Sequence, residues 1–182
     1  IRFGHITDEA REFIRKKANR FMNDDTCATF VSFSGGKDST VVSALVRKAL
    51  SKPDVIHIFG NTTLEFPETY DYVQRFKKEN RKTPMLRAEN KEQDFFKLCD
   101  NFGPPSRSLR WCCTIFKTGF IGEKIKRTFG DKKTILTFYG IRRSESTSRS
   151  TYERSSGGKK ISQQLVASPI IDWYDYDIWL YL

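Results

Sequence analysis

The stretch Ser32-Phe33-Ser34-Gly35-Gly36-Lys37-Asp38-Ser39-Thr40 constrains this chain more than any other. It follows the apolar run Ala28 to Val31 and leads into Val41, Val42, Leu45, Val46 and Ala49, which are spaced as one face of a helix. Strand, glycine turn and helix in that order build a seat for phosphate. Gly35 and Gly36 admit backbone angles that other residues resist, so main-chain N–H groups can approach an anion closely. The helix that follows turns its positive end toward the same point. Ser32, Ser34, Ser39 and Thr40 add hydroxyls, Lys37 adds a charge, and Asp38 is a candidate ligand for a magnesium ion between phosphates. The expected ligand is a nucleotide.

A Walker loop places four residues between its first glycine and the Gly-Lys pair, so this spacing is not that of a P-loop NTPase. It resembles instead the PP-loop, SGGKDS, of the adenine-nucleotide alpha-hydrolase-like proteins. A Gly-Gly turn beside Ser and Lys can also be a plain surface turn. The strand before it and the amphipathic helix after it supply the context that a phosphate motif requires.

Around that motif, 182 residues suit one α/β domain with a full core. The chain begins at Ile1 and stops inside the apolar pattern Asp177-Ile178-Trp179-Leu180-Tyr181-Leu182, so it reads as a fragment of a longer protein. No apolar run approaches the length that spans a bilayer and no secretory signal is visible, which points to a cytoplasmic protein without a membrane partner. Lys and Arg number 32 against 22 acidic residues, a formal charge of +10. That excess favours polyanions, either a nucleotide or a nucleic acid. The basic residues lie in short groups, Arg15-Lys16-Lys17, Lys124 to Arg127 and Lys159-Lys160, most of which read as solvated surface. No nucleic-acid module accompanies them, so nucleic acid is the less favoured partner.

Periodicity predicts a helix over Thr7 to Met22, capped by Thr7 or Asp8, then strands at Ala28 to Phe33 and Val55 to Phe59. Pro67 opens a further helix through Tyr70, Val73 and Phe76, and a short strand near Met85 to Arg87 follows. A helix is expected over Gln93 to Asp100, a loop at Gly103 to Ser106, a helix around Phe120 to Thr128, and a strand over Thr134 to Tyr139. The alternation implies a Rossmann-like, three-layer αβα domain with a mostly parallel sheet. Arg142 to Lys160, polar and rich in Ser and Gly, reads as one long mobile loop at a strand's carboxyl end, where open α/β sheets bind ligands. The chain regains order from Ile161 to Ile171 and ends in a turn and a helix start.

Three further segments carry chemistry. Asn61 and Thr62, in Gly60-Asn61-Thr62-Thr63-Leu64-Glu65-Phe66-Pro67-Glu68, leave the second strand beside the phosphate loop and are candidate ligand contacts, whereas Pro67 and Glu68 suit a first helical turn. Cys112 and Cys113, near Arg107 and Arg110, are candidate metal ligands, since cations stabilise thiolates; two buried free cysteines would look the same. Cys27 and Cys99 read as isolated core residues. Arg142 and Arg143, in Gly140-Ile141-Arg142-Arg143-Ser144-Glu145-Ser146, offer planar paired donors for phosphate or sulfate. Arg149 and Arg154 follow on the same loop, where solvated surface is the stronger reading.

The ordered series SFSGGKDST, NTTLEFPETY, RWCCTIFK, GIRRSES and SPIIDWYDYDIWLYL resembles the phosphoadenosine phosphosulfate (PAPS) reductase family and its adenylyl-sulfate (APS) reductase relatives, from Ala28 to Leu182. The resemblance implies that the PP-loop and the Arg-Arg segment handle the phosphate and sulfate groups of an adenine nucleotide, PAPS, APS or ATP. It implies sulfonucleotide reduction to sulfite in the complete enzyme, with a thioredoxin-like reductant as a candidate partner. In cluster-containing members a tandem Cys-Cys and a later Cys-x-x-Cys bind a four-iron, four-sulfur cluster; Cys112 and Cys113 match the first pair, and the second pair and the nucleophilic cysteine have no counterpart here. NTTLEFPET also departs from the commoner Asp-Thr-Gly form. Two other classes stay open: an ATP pyrophosphatase that adenylylates its substrate, in sulfate activation or sulfur insertion into nucleic acid, and a non-catalytic nucleotide-binding module. Oligomeric state is left undetermined.

Overall fold

The computed structural model describes residues 2–22, 24–90, 92, 94–130, 132, 134–158 and 163–182. Helix α1 (Arg2–Asn19) leads into β1 (Cys27–Phe33), α2 (Lys37–Leu50), β2 (Ile56–Gly60), α3 (Pro67–Glu79), β3 (Met85–Ala88) and α4 (Phe95–Phe102). A π-helical run (Cys113–Gly119) continues into α5 (Phe120–Phe129), followed by β4 (Thr134–Phe138), a 3₁₀ turn (Arg143–Glu145), β5 (Ser155–Gly157), β6 (Gln164–Ala167) and α6 (Asp175–Tyr181). The strands form one sheet in the order β3-β2-β1-β4-β6-β5, parallel except for β5 against β6.

Alternation along β1 sorts the layers. Val31, with Leu136, Phe138 and Ala167, packs on α1, α2 and Ile178 of α6, and Phe33 with Phe59 packs on Val73 and Phe76 of α3. Phe30, with Ile58, Ala88 and Ile135, turns to the opposite face and meets Ile125 and Phe129 of α5. Parallel strands covered on both faces are the expected consequence of strands joined by helices. Among the described residues, no helix is long and apolar enough to cross a membrane.

Several expectations are corrected. Helix α1 starts at Arg2, five residues earlier than expected, because Thr7 does not cap it: its hydroxyl donates to the Phe3 carbonyl at 2.8 Å, one turn back inside the helix. Cys27 opens β1 beside Asp24, its Sγ 3.5 Å from Oδ2, rather than lying in the core. Residues 142–158 are not one loop. Arg143 Nε bonds the Tyr152 carbonyl at 3.0 Å, and Ser155–Gly157 pairs antiparallel with β6, so backbone pairing orders a segment whose composition suggests disorder. The expected start of α4 at Gln93, the Lys159-Lys160 pair and the resumption at Ile161 lie outside the described residues.

His57 of β2 is fully buried between the sheet and α2, with Nδ1 2.7 Å from the Val55 carbonyl and Nε2 2.8 Å from Ser43 Oγ. A neutral ring satisfies both contacts: Nδ1–H donates to Val55, and Nε2 accepts from Ser43. Burial pulls the imidazole down to about 4. Between its ordinary value near 6.5 and about 4, the unfolded chain therefore binds a proton that the folded chain refuses. The stabilisation is complete above pH 6.5 and is lost progressively as pH falls toward 4, by about 3 kcal/mol in all. Urea unfolding at pH 7, 5.5 and 4.5 checks this, since His57→Gln should flatten the decline; an equal decline in both proteins would contradict it.

Candidate functional site

Strands β2 and β3 run outward from β1 on one side, and β4 and β6 lie on the other, so the connections diverge at the carboxyl ends of β1 and β4. Open α/β sheets hold ligands at such a point. A cavity of about 450 Å³ opens there, lined by Ser32, Phe33, Ser34, Ser39, Gly60, Thr62, Glu65, Ile121, Tyr139, Gly140, Ile141, Arg149 and Gln164. Its size falls within the usual range for small-ligand sites.

The loop between β1 and α2 is held by its own hydroxyls. Ser39 Oγ donates to the Gly36 carbonyl at 2.9 Å and accepts the Ser34 N–H at 3.2 Å, and Ser34 Oγ lies 3.1 Å from it. The Gly36 N–H donates to Ser34 Oγ at 3.3 Å. Thr40 Oγ1 donates to the Gly36 carbonyl at 3.0 Å and lies 3.0 Å from the Tyr72 hydroxyl. Gly35 has φ +77°, and a Cβ there would come within 3.1 Å of Thr69 and Val73 methyls. Gly140 is more restrictive still. A Cβ on it would lie 2.7 Å from the Asp38 carbonyl carbon and 2.8 Å from the Ser39 nitrogen, so the end of β4 touches the first turn of α2 through bare backbone.

Among the described residues, Arg142 is the largest fully buried side chain. Its Nε donates to Asp38 Oδ1 at 2.5 Å, Nη1 to Ser144 Oγ at 3.1 Å and Nη2 to Asp175 Oδ1 at 2.9 Å. Lys37 Nζ bridges Asp38 Oδ2 at 3.2 Å and Asp175 Oδ1 at 3.1 Å. The hydrogen-bonded Lys37 and the Arg142 charge hold the Asp175 carboxyl below its ordinary value. Both oxygens of Asp38 thus face cations, an arrangement that does not fit a resident magnesium ion. Arg143 turns away, to Asp172 and the Tyr152 carbonyl. Arg154 reaches Glu9 of α1 and the Pro169 carbonyl, whereas Arg149 lines the cavity, paired with Glu145.

Asn61 is buried beneath the site: its amide donates to Glu89 Oε2 at 2.9 Å, and its carbonyl accepts the Tyr70 hydroxyl at 2.7 Å and the Thr63 N–H at 3.1 Å. Thr62 lines the cavity and donates to Glu65 at 2.8 Å. Thr63 has φ +61°, a strained setting for a β-branched residue, and its hydroxyl accepts the Phe95 N–H at 2.8 Å, tying this loop to α4. At the cavity floor Gln164 donates to Thr137 at 2.7 Å and to Tyr139 at 3.3 Å. Burial pushes the Tyr139 phenol up, against hydrogen bonds with Gln164 and Ser32.

Cys112 and Cys113 open on a neighbouring cavity of about 220 Å³ that shares Thr62 and Glu65 with the first. Cys113 Sγ lies 3.7 Å from Arg110 Nη2, and Cys112 packs with Cys99 against Leu98, Trp111 and Phe116. Desolvation, then Asp100 and Cys112, push the Cys99 thiol up. Among the described residues, no group of three or more His, Cys, Asp or Glu side chains converges to hold a metal ion. Two adjacent thiols supply half of what a four-iron cluster needs.

The structure adds Tyr139, Gly140, Gln164 and Glu65 to the cavity and brings Asp175 between Lys37 and Arg142. Of these, Gly140, a glycine two residues beyond the end of β4, has a local signal in the sequence.

The profile of the phosphoadenosine phosphosulfate reductase domain matches residues 28–182. An uncharacterized protein of Methanocaldococcus jannaschii is 38% identical over 153 residues, 84% of this chain and 30% of that protein. A second from the same organism is 36% identical over 172 residues, 93% of this chain and 39% of that protein. The chain therefore spans about a third of the length of these relatives. An adenosine 5'-phosphosulfate reductase of Staphylococcus haemolyticus is 28% identical over 155 residues, 83% of this chain and 59% of that protein. Among solved structures, the PAPS reductase of Candida auris, a phosphate complex, superposes with a TM-score of 0.67 at 15% identity, covering 98% of this chain and 83% of that one. Candida glabrata FMN adenylyltransferase, in complex with FMN and the ATP analog AMPCPP, superposes with a TM-score of 0.68 at 12% identity, covering 99% and 56%.

Proposed function

The chain belongs to the phosphoadenosine phosphosulfate reductase domain family, and from that premise we propose that its cavity between β1 and β4 binds an adenine nucleotide whose phosphate or phosphosulfate group rests on the loop from Ser34 to Ser39. The observation that carries this reading is the convergence of the Ser34–Ser39 hydroxyl pair, the start of α2 and the closely approaching Gly140 on one cavity wall. Backbone donors and a helix end together favour an anion. Lys37 and Arg142 stand beside that wall as charged donors.

The activity we assign to the complete protein is sulfonucleotide reduction. A thiolate attacks the sulfonyl sulfur, the bond from sulfur to the phosphate oxygen breaks, and the adenosine nucleotide leaves with the electron pair; a dithiol of the thioredoxin class then releases sulfite from the S-sulfonate. The part given to this chain is to bind and orient the nucleotide and to balance the charge of the departing phosphate. Cys112 and Cys113 favour reduction over adenylylation, because their cavity meets the nucleotide cavity at Thr62 and Glu65. They are proposed as two of the ligands of an iron-sulfur cluster completed elsewhere. Such a cluster would supply electrostatic polarisation near the substrate.

Product analysis tests the reading: the complete protein, supplied with a thiol reductant, is expected to form sulfite from PAPS or APS and no pyrophosphate from ATP. Pyrophosphate release with formation of an adenylylated product would establish the pyrophosphatase alternative instead.

A further inference from the structure

The cations of the phosphate seat already have an anion between them. A single oxygen, Asp175 Oδ1, accepts from Lys37 Nζ at 3.1 Å and from Arg142 Nη2 at 2.9 Å, the position that a ligand oxygen bridging an ammonium and a guanidinium would take. Asp38 is paired with the same two cations, so the cluster holds two positive and two negative groups and is locally neutral. The two carboxylates differ in setting. Asp38 is 17% exposed and fixed at the start of α2, whereas the Asp175 side chain is 68% exposed at the first position of α6. Nor does Asp175 cap that helix, since Asp177 Oδ2 accepts the Tyr174 N–H at 2.9 Å. Glu145 Oε1, 4.0 Å from Arg142 Nε, is the remaining nearby carboxylate, and it pairs with Arg149.

We propose that Asp175 is a specificity-determining residue of this seat: its carboxylate stands in the place of a phosphate or sulfate oxygen between Lys37 and Arg142, and an anionic ligand must displace it to bind. An exposed carboxylate can swing into solvent at little cost, so the site is available but guarded. A multiply charged group, such as pyrophosphate or phosphosulfate, gains more from the two cations than the single carboxylate it replaces. A singly charged group gains too little to displace it, and a neutral nucleoside makes no use of the two cations. Asp175 therefore holds down the affinity for anionic groups, narrows the margin between a phosphorylated nucleotide and its nucleoside, and leaves tight binding to multiply charged groups. This inference rests on the nucleotide reading above.

Calorimetric titration of the wild type, Asp175→Asn and Asp175→Glu with inorganic pyrophosphate and with adenosine tests it at one ionic strength. Removing the internal competitor should tighten pyrophosphate roughly threefold to tenfold, the scale of one or two exposed ion pairs, and leave adenosine within about twofold. Asp175→Glu should stay near the wild type. If the wild type binds pyrophosphate and Asp175→Asn binds it equally or more weakly, Asp175 positions the cations rather than competing for them, and the inference fails while the nucleotide reading stands. If neither protein binds pyrophosphate, the nucleotide reading fails and this inference falls with it.

Discussion

Replacing Arg142 by alanine is expected to destabilise the fold by about 3–5 kcal/mol and to weaken binding of anionic nucleotides far more than binding of adenosine. The guanidinium is 2% exposed and satisfies Asp38, Asp175 and Ser144 at once. Its removal leaves Asp38, itself mostly buried, facing Lys37 alone, and breaking a buried pair from one side costs on that scale. An uncompensated carboxylate at the head of α2 would also repel a phosphate. Arg142→Lys should restore part of both losses, since it keeps the charge and loses the fork. Arg143→Ala supplies the contrast: its pair with Asp172 is exposed and is expected to contribute less than about 1 kcal/mol. Urea unfolding and calorimetric titration with ATP and adenosine measure these quantities. Equal losses for ATP and adenosine would mean that Arg142 supports the fold alone.

Gly140→Val should lower nucleotide affinity by about two orders of magnitude while leaving secondary structure recognisable by circular dichroism. A side chain at this position meets the Asp38 and Ser39 backbone below 3 Å, and backbone cannot step aside as a flexible side chain can. The end of β4 and the first turn of α2 must separate, and an overpacked contact of this kind costs about 1–3 kcal/mol before any ligand is considered. Because that first turn forms the wall of the seat, the displacement falls directly on the ligand site. Gly157→Val is the control, since nothing lies within 4 Å of a Cβ there, and it should bind normally. Normal binding by Gly140→Val would show that the approach of β4 to α2 is not part of the site.

What was legible in the sequence had a local cause. The apolar strand, the glycine turn and the helical spacing after Lys37 are neighbours in the chain, and the structure assembles β1 and α2 from them with Gly36 as the N-cap. The two faces of the sheet follow from the alternation of Phe30, Val31 and Phe33. Pairings between distant residues were not legible. Arg142 reads as a free anion-binding side chain until Asp38, 104 positions away, and Asp175, 33 positions away, are brought against it. The β5 strand has only Ser155, Ser156 and Gly157 to signal it, none a strand former and the glycine unfavourable, and it forms because β6 offers an edge. The left-handed Thr63 has no composition signal either, being held by the bond from Phe95.

If an adenine nucleotide sits at the divergence of β1 and β4 with its charged groups on the Ser34–Ser39 loop, backbone amide resonances followed during titration with ATP and, separately, with APS will report it. Saturable shifts are expected at Ser34, Gly35, Gly36, Ser39 and Gly140, with adenosine leaving the loop amides largely unmoved. Shifts confined instead to the exposed basic surface around Lys126 and Arg127, growing without saturation and vanishing with added salt, would contradict it.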